Sequence, residues 1–283
     1  MRISNFFFGG IFLAFSLMSC EEENPPIKFT ERPLLDTTYV SAVPKAQTKK
    51  VFLADVTGVR CNNCPRAAQK AFDLEAANPG KLEIMAIYPT YKPLSNPWGP
   101  PYDTLNTQDA DDLANSVGVV SALPSGIIDN ISYNGKRLID ENSWSVIFDA
   151  QKVKTTPINI DIAAKWLSAD NKGRIEVKAT ANTAISNGVS WVIAILEDDI
   201  IGKQSTATGT EDNYDFKHVL RKIVNSPMGD PLKTPMVAGF TTEKHYYIPR
   251  VAKWKPENLS CIVWVFDNTT KEILQVNKVK FSM

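Results

Sequence analysis

The chain is poor in the residues that build metal centres. It has two histidines and four cysteines among 283 residues. A structural zinc site takes four nitrogen or sulfur ligands. One close cysteine pair is present, Cys61 and Cys64, but a second pair is missing. Only His218, His245 and Cys261, far along the chain, could complete such a site, and no metal is expected. Charge of either sign is also lacking in excess. Lys plus Arg and Asp plus Glu both number 31, and no basic stripe stands out, which argues against nucleic acid or an anionic membrane surface as partner. There is no Ser-His-Asp arrangement, no phosphate-cradling glycine loop and no calcium loop, so no cofactor is expected. No internal repeat or long low-complexity tract occurs. No apolar run reaches the roughly 20 residues a helix needs to cross a bilayer. What remains is a composition of 43% hydrophobic and 22% charged residues, that of a folded globular chain long enough for two ordinary domains.

The first residues stand apart. "MRISNFFFGGIFLAFSLMSC" carries Arg2 and then an apolar run from Phe6 to Met18, the pattern of a secretory signal peptide. Leu17-Met18-Ser19-Cys20 resembles a bacterial lipobox, in which the cysteine is acylated and becomes the mature N-terminus. Residues 1–19 are thus expected to be a signal peptide and 20–36 an acylated tether. The tether is acidic and proline-rich, "EEENPPIKFTERP", without apolar period. Its Glu21-Glu22-Glu23 run resembles acidic export signals of surface lipoproteins in the Bacteroidetes. Each buried acyl methylene contributes about 0.8 kcal/mol, so a multiply acylated Cys20 anchors the chain in a lipid bilayer without any spanning helix. Exported chains keep disulfides, which favours sulfur chemistry or a staple over zinc for Cys61 and Cys64.

Texture divides the remainder at about residue 152. In 37–152, "KVFLADV" reads as a buried strand, "CPRAAQKAFDLEAANPG" as a helix stopped by Asn78-Pro79-Gly80, and "KLEIMAIY" as the next strand. A proline-rich loop from Pro89 to Gln108 follows, then a short helix, "DADDLANSVG". "LPSGIIDN" and "KRLID" read as strands joined by a turn, and "ENSWSVIFDAQK" as a final helix. In 153–283 six strands are legible: "INIDIAAKWL", "RIEVKATA", "GVSWVIAILED", "VAGFTTEKHYYIP", "LSCIVWVFD" and "KEILQVNKVKF". So many strands in so short a span suggest an all-β sandwich. The exception runs from Gly202 to Pro235, which reads as a long polar loop with one short helix around Lys217 to Val224.

Cys61 and Cys64 sit where the first strand gives way to the helix. Pro65 belongs in a first turn, so the helix starts near Asn63. A thiolate there meets unpaired N–H groups and the positive end of the helix dipole, which depress a thiol pKa. In a redox reading Cys61 attacks and Cys64 resolves. Asp55, in the middle of the apolar strand, is costly to bury without a partner and could accept the proton from the resolving thiol. Pro124 could take a cis peptide bond and bring the backbone of Leu123 beside the pair. In a static reading the same cysteines form a disulfide staple. Both readings stay open at this point. Cys261, amid apolar neighbours, reads as an inert core thiol, and His245 as a strand-surface residue.

A strand with a buried acid, C-x-x-C at a helix start and a later proline-headed strand together resemble the thioredoxin fold, although Arg60 and Asn62-Asn63 depart from the thioredoxin pattern. A closer likeness is to the Omp28-related outer-membrane lipoproteins of the Bacteroidetes. "TGVRCNNCPRA" resembles their cysteine signature, and "NYDFKHVLR" (Asn213 to Arg221) a second recurring stretch. The resemblance implies an α/β thioredoxin-like N-terminal domain followed by an immunoglobulin-like β-sandwich. It also implies an outer-membrane location, periplasmic or surface-exposed. No settled activity comes with it. Two functions follow: a binding or adhesion protein for an unidentified protein, peptide or glycan, or a thiol–disulfide oxidoreductase acting through Cys61 and Cys64. For the first, the two long loops would meet the partner, with Tyr91, Trp98, Tyr102, His218 and Arg221 as candidate contacts.

Overall fold

A computed structural model describes residues 34–283; the expected signal peptide, Cys20 and the tether up to residue 33 lie outside it. Strand β1 (Leu35–Val40) leads to β2 (Val51–Val56), whose six residues are all buried. The "VFLADV" run is apolar on both faces because both faces of its sheet are covered. Helix α1 (Cys64–Ala77) begins after Asn63 with proline in its first turn, and Asn78 closes it by donating its side-chain amide to the Leu74 carbonyl at 2.9 Å. Strand β3 (Leu82–Ile87) follows, and then α2 (Gln108–Ser116). Thr107 caps α2 by accepting from the Ala110 N–H at 3.1 Å. Strand β4 (Ser125–Ile128) and α3 (Trp144–Gln151) complete the first half.

The second half runs β5 (Ile158–Leu167), β6 (Lys172–Ala181), β7 (Val189–Glu197), β8 (Ile200–Thr206), β9 (Gly209–Phe216), β10 (Val219–Ile223), β11 (Asp230–Pro231), β12 (Phe240–Pro249), β13 (Leu259–Asp267) and β14 (Ile273–Lys280). All six strands read from the sequence here are present. Among the described residues no helix is long and apolar enough to cross a membrane.

Two sheets and a hairpin organise these elements. One sheet has the order β1-β12-β6-β5. The other has the order β14-β13-β7-β10-β3-β2-β4, with β11 on β7, and so joins strands from both halves. Among the described residues, strands β8 and β9 pair only with each other. The four-stranded sheet packs on β7 and β13 around Trp166, Trp191, Tyr246 and Val263. On the β2–β3–β4 region, α1 and α3 cover Val51, Leu53, Leu82, Ile84 and Ile128. Helix α2 covers the opposite face, where Phe52, Ala54, Met85 and Ile87 point by the strand alternation. Gly126 on β4 is required because a Cβ there would lie inside the Trp144 indole, whose Nε1 donates to the Ile139 carbonyl at 3.1 Å. A buried ion pair, Lys49 to Asp129 at 2.8 Å, ties the entry of β2 to the exit of β4, and Asp129 also accepts from the Phe52 N–H.

Four expectations change. The helix expected around Lys217 to Val224 is strand β10. Its stretch "VLRKI" is rich in the branched and apolar residues both states use, and pairing with β7 and β3 decides. The expected long polar loop is largely the β8–β9 hairpin and β10. Strand β9 is exposed along most of its length, so it shows no buried face in its sequence. The strand expected at "KRLID" reduces to one bridge, Gly126 to Ile139. Leu35 and Asp36, expected in the tether, belong to β1, which β12 holds by hydrogen bonding along its whole length.

Candidate functional site

Strand β2 aims its C-terminal end at the cysteine turn. Gly58 permits that turn because the Leu94 backbone occupies the space a Cβ would take. The Arg60 N–H donates to the Leu94 carbonyl at 2.8 Å, and Ser95 Oγ donates to the Thr57 carbonyl at 2.8 Å. The proline-rich loop is therefore docked on the cysteine turn. Cys61 and Cys64 form a disulfide with Cα atoms 5.4 Å apart. Both are only 2% exposed, including Cys61, the member that attacks in the redox reading.

The cover has two parts. From the β8–β9 hairpin, Gln204 Nε2 donates to the carbonyls of Gly58 at 3.2 Å and Cys61 at 3.1 Å, and the Ser205 N–H donates to the Val59 carbonyl at 2.9 Å. From the proline-rich loop, Trp98 lies under the Arg60 guanidinium, 4.0 Å from ring centroid to Cζ. Arg60 also donates to the carbonyls of Asn96 at 2.9 Å and Pro97 at 3.0 Å. The Arg60 side chain is thus engaged by that loop.

Beneath the disulfide a cavity of about 20 Å³ is lined by Asp55, Cys64, Tyr88, Gln204, Tyr214 and Phe216, room for about one water molecule. Asp55 is 3% exposed, and its Oδ1 has no hydrogen-bond partner among the described residues. Burial, with the Glu141 charge adding, pushes its carboxyl up to about 7. Burial, with the Asp55 charge second, pushes the Tyr214 phenol up to about 12. Pro124 follows a cis peptide bond from Leu123 and heads β4, whose Ser125 and Gly126 pair with Val56 and Asp55. The acid, the proline-headed strand and the cysteine turn thus share one end of the sheet. The arrangement holds an acid beside Cys64, with both cysteines buried.

The "NYDFKHVLR" stretch turns out to be a clasp between the halves. Tyr214 and Phe216 pack under the disulfide, and Phe216 meets Tyr88 edge-on at 6.1 Å. Lys217 pairs with Asp199 and with Asp215. His218, at φ 55° in the turn before β10, lies between Asp198 (3.1 Å) and Glu75 of α1 (3.7 Å). Burial opposes charge on the imidazole, but hydrogen bonds to Asp198 and Glu75 outweigh it, and its pKa stands above the ordinary value. Burial likewise opposes charge on Asp198, yet the His218 contacts hold its carboxyl at about 2. A histidine with a raised folded pKa contributes stability that is complete below its unfolded pKa of about 6.5 and is lost as pH rises through the folded value. Asp55, raised in the fold, adds a slope of the same sign between about pH 4 and 7. Urea unfolding is therefore expected to show stability falling from pH 6 to pH 8.5, with the His218→Gln variant showing a shallower fall. Equal slopes would remove the clasp.

Arg221 is 8% exposed. Its Nε donates to Glu197 at 2.7 Å, Nη2 to Asp103 at 2.6 Å and Nη1 to the Thr104 carbonyl at 3.3 Å. Of the aromatic residues read as contacts, Trp98 is half-buried against the cysteine turn, and Tyr102 bonds Asp212 of the hairpin at 3.2 Å. Tyr91 is 41% exposed and stands apart near α2. Cys261 is fully buried in the sandwich core, where burial raises its thiol pKa. His245 pairs with Glu243 on β12 at 2.8 Å. Sequence reading missed Gln204, Glu197 and Asp103. The only trace was the long segment around Gln204 and the recurring stretch after it.

A family model described as outer membrane protein Omp28 matches residues 111–283. Among solved structures, HBP35 of Porphyromonas gingivalis is similar over 84% of this chain and 77% of its own, with TM-score 0.64 and 14% identity. A protein from Agrobacterium tumefaciens is similar over 83% of this chain and 96% of its own, with TM-score 0.51 and 12% identity. A domain of the outer membrane lipoprotein Omp28 from Porphyromonas gingivalis aligns over 45% of this chain and 89% of its own, with TM-score 0.31 and 20% identity. At these identities the likeness to the first two bears on fold alone. No curated protein matches.

Proposed function

Because the chain belongs to the Omp28 family of outer membrane proteins, we propose that it is a lipid-anchored binding or adhesion protein built on a thioredoxin-like domain whose disulfide is a structural staple. The observation that carries this reading is the burial of Cys61 and Cys64, each 2% exposed beneath Gln204 and the proline-rich loop. Disulfide exchange needs a thiolate that reaches a substrate disulfide, and neither sulfur is accessible here. The thioredoxin-like basis is supported by the order β3-β2-β4, with the cysteines after β2 and Pro124 heading β4. The anchor is the acylated Cys20, held in the bilayer by its chains. The partner is a protein, peptide or glycan outside the cytoplasm.

The staple is tested by the Cys61→Ala, Cys64→Ala double variant. Closing so short a loop contributes about 2 kcal/mol in the chain-entropy account, so the variant is expected to unfold at lower urea while keeping its native circular dichroism. Wild-type protein with excess dithiol is expected to give no catalysed reduction of insulin. Catalytic turnover would establish the second reading, an oxidoreductase, which is favoured by Asp55 beside Cys64 with its carboxyl at about 7. The anchor is tested separately. Cys20→Ser is expected to move the protein from the detergent phase to the aqueous phase, and unchanged partitioning would refute acylation there.

A further inference from the structure

The face of the large sheet opposite the disulfide is broader than α2, a helix of nine residues, can cover. Beside that helix a cavity of about 230 Å³ remains. Its floor is Phe52, Ala54, Met85, Val192, Trp264 and Phe266, all buried. Phe52 and Trp264 stack there with ring centroids 5.0 Å apart. Both halves of the chain contribute, through β2 and β3 on one side and β7 and β13 on the other. An apolar cavity of 150 Å³ holds one benzene, so this one has room for roughly nine or ten non-hydrogen atoms.

The rim is charged on one side. Among the described residues no carboxylate lines the cavity, whereas Lys271 does. Its Nζ lies 5.7 Å from the Phe266 ring centroid. Next to it, Arg137 donates to the backbone carbonyls of Asn130 and Thr270, so its guanidinium is placed by neutral groups. The acids of the same turn are engaged elsewhere. Asp267 accepts from the N–H groups of Thr269 at 2.7 Å and Thr270 at 2.8 Å, and Glu272 pairs with Lys154 at 2.6 Å. Met228, 60% exposed, leaves the opposite rim apolar.

We propose that this cavity binds a free medium-chain monocarboxylate, its alkyl chain on Phe52 and Trp264 and its carboxylate at Lys271 on the rim. Burial of the chain supplies the affinity and Lys271 selects the sign of the head group. The site is on the face away from Cys61 and Cys64, so it stands or falls independently of the staple.

The test uses protein with ¹³C-methyl methionine, titrated with octanoate. Saturable shifts are expected at Met85 and Met228 by about 1 mM ligand, with Met236, in the sandwich core, unmoved. Octylammonium is expected to bind at least fivefold more weakly, and Lys271→Glu to weaken octanoate by at least fivefold while leaving octanol unchanged. Absence of shifts at Met85 and Met228 would overturn the proposal. So would equal binding of octylammonium, which needs no variant, or octanoate affinity indifferent to Lys271→Glu.

Discussion

Arg221→Ala is expected to remove about 3–5 kcal/mol of folding stability, the scale for breaking one side of a buried ion pair. The guanidinium is the only side-chain cation on Glu197 among the described ion pairs, and Glu197 is 2% exposed. Its other oxygen already accepts from the Lys255 N–H at 2.8 Å, so it cannot rearrange towards water without giving up that bond. The same arginine holds Asp103 of the proline-rich loop at 2.6 Å. For a chain of this size, 1 kcal/mol shifts the melting temperature by about 2–4 °C, so a drop of about 6–20 °C is expected by calorimetry. Arg221→Met with Glu197→Leu is expected to recover part of it, because neither charge is then left buried alone. A single-variant loss under about 1 kcal/mol would mean that Arg221 behaves as a surface pair, and the clasp described for residues 213–221 would fail.

Gln204→Ala is expected to speed reduction of the Cys61–Cys64 disulfide by roughly tenfold to a hundredfold. The wild-type side chain shares its two amide hydrogens among three carbonyls, those of Gly58 and Cys61 in the cysteine turn and that of Ser205 in its own hairpin. Each bond is worth about 0.5–1.5 kcal/mol net, and about 1.4 kcal/mol is a factor of ten in an equilibrium. If a small phosphine reaches the sulfurs only when the hairpin lifts, its rate follows the population of that local opening. Thr208→Ala, at the exposed hairpin tip, is the control and is expected to change nothing. Rates are followed by trapping free thiols under native conditions. Equal rates for wild type and Gln204→Ala would show that the hairpin is not the seal, and the staple reading would lose its main support.

Both results turn on side chains that sequence reading valued differently. Arg221 was read as a contact for a partner; its partners are Glu197 and Asp103 of its own chain. Gln204 drew no attention because a glutamine in a polar stretch looks solvated. Strand β9 hid for a related reason, since its residues are nearly all exposed and lack the alternation of a half-buried strand. The strands of the sandwich were legible because their apolar residues recur at a spacing only a packed sheet rewards, as in "GVSWVIAILED". Helix α1 was legible from Pro65 and Asn78-Pro79-Gly80, which act within a few residues of themselves. The stretch 217–224 reads as a helix but forms a strand because local preference there is balanced, and the deciding hydrogen bonds come from β7 and β3.

By itself the sequence determined what depends on near neighbours: most helix and strand positions, the chance of a Cys61–Cys64 bond across two residues, and the likeness to Omp28 proteins. Tertiary structure alone decided what depends on residues far apart in the chain. It laid the β8–β9 hairpin over the disulfide, gave Arg221 its acids, joined the halves in one sheet and opened the cavity beside α2. The physical reason is that a closed or open site is a property of packing, in which residues a hundred or more positions apart compete for the same few ångströms, and no local pattern records the winner.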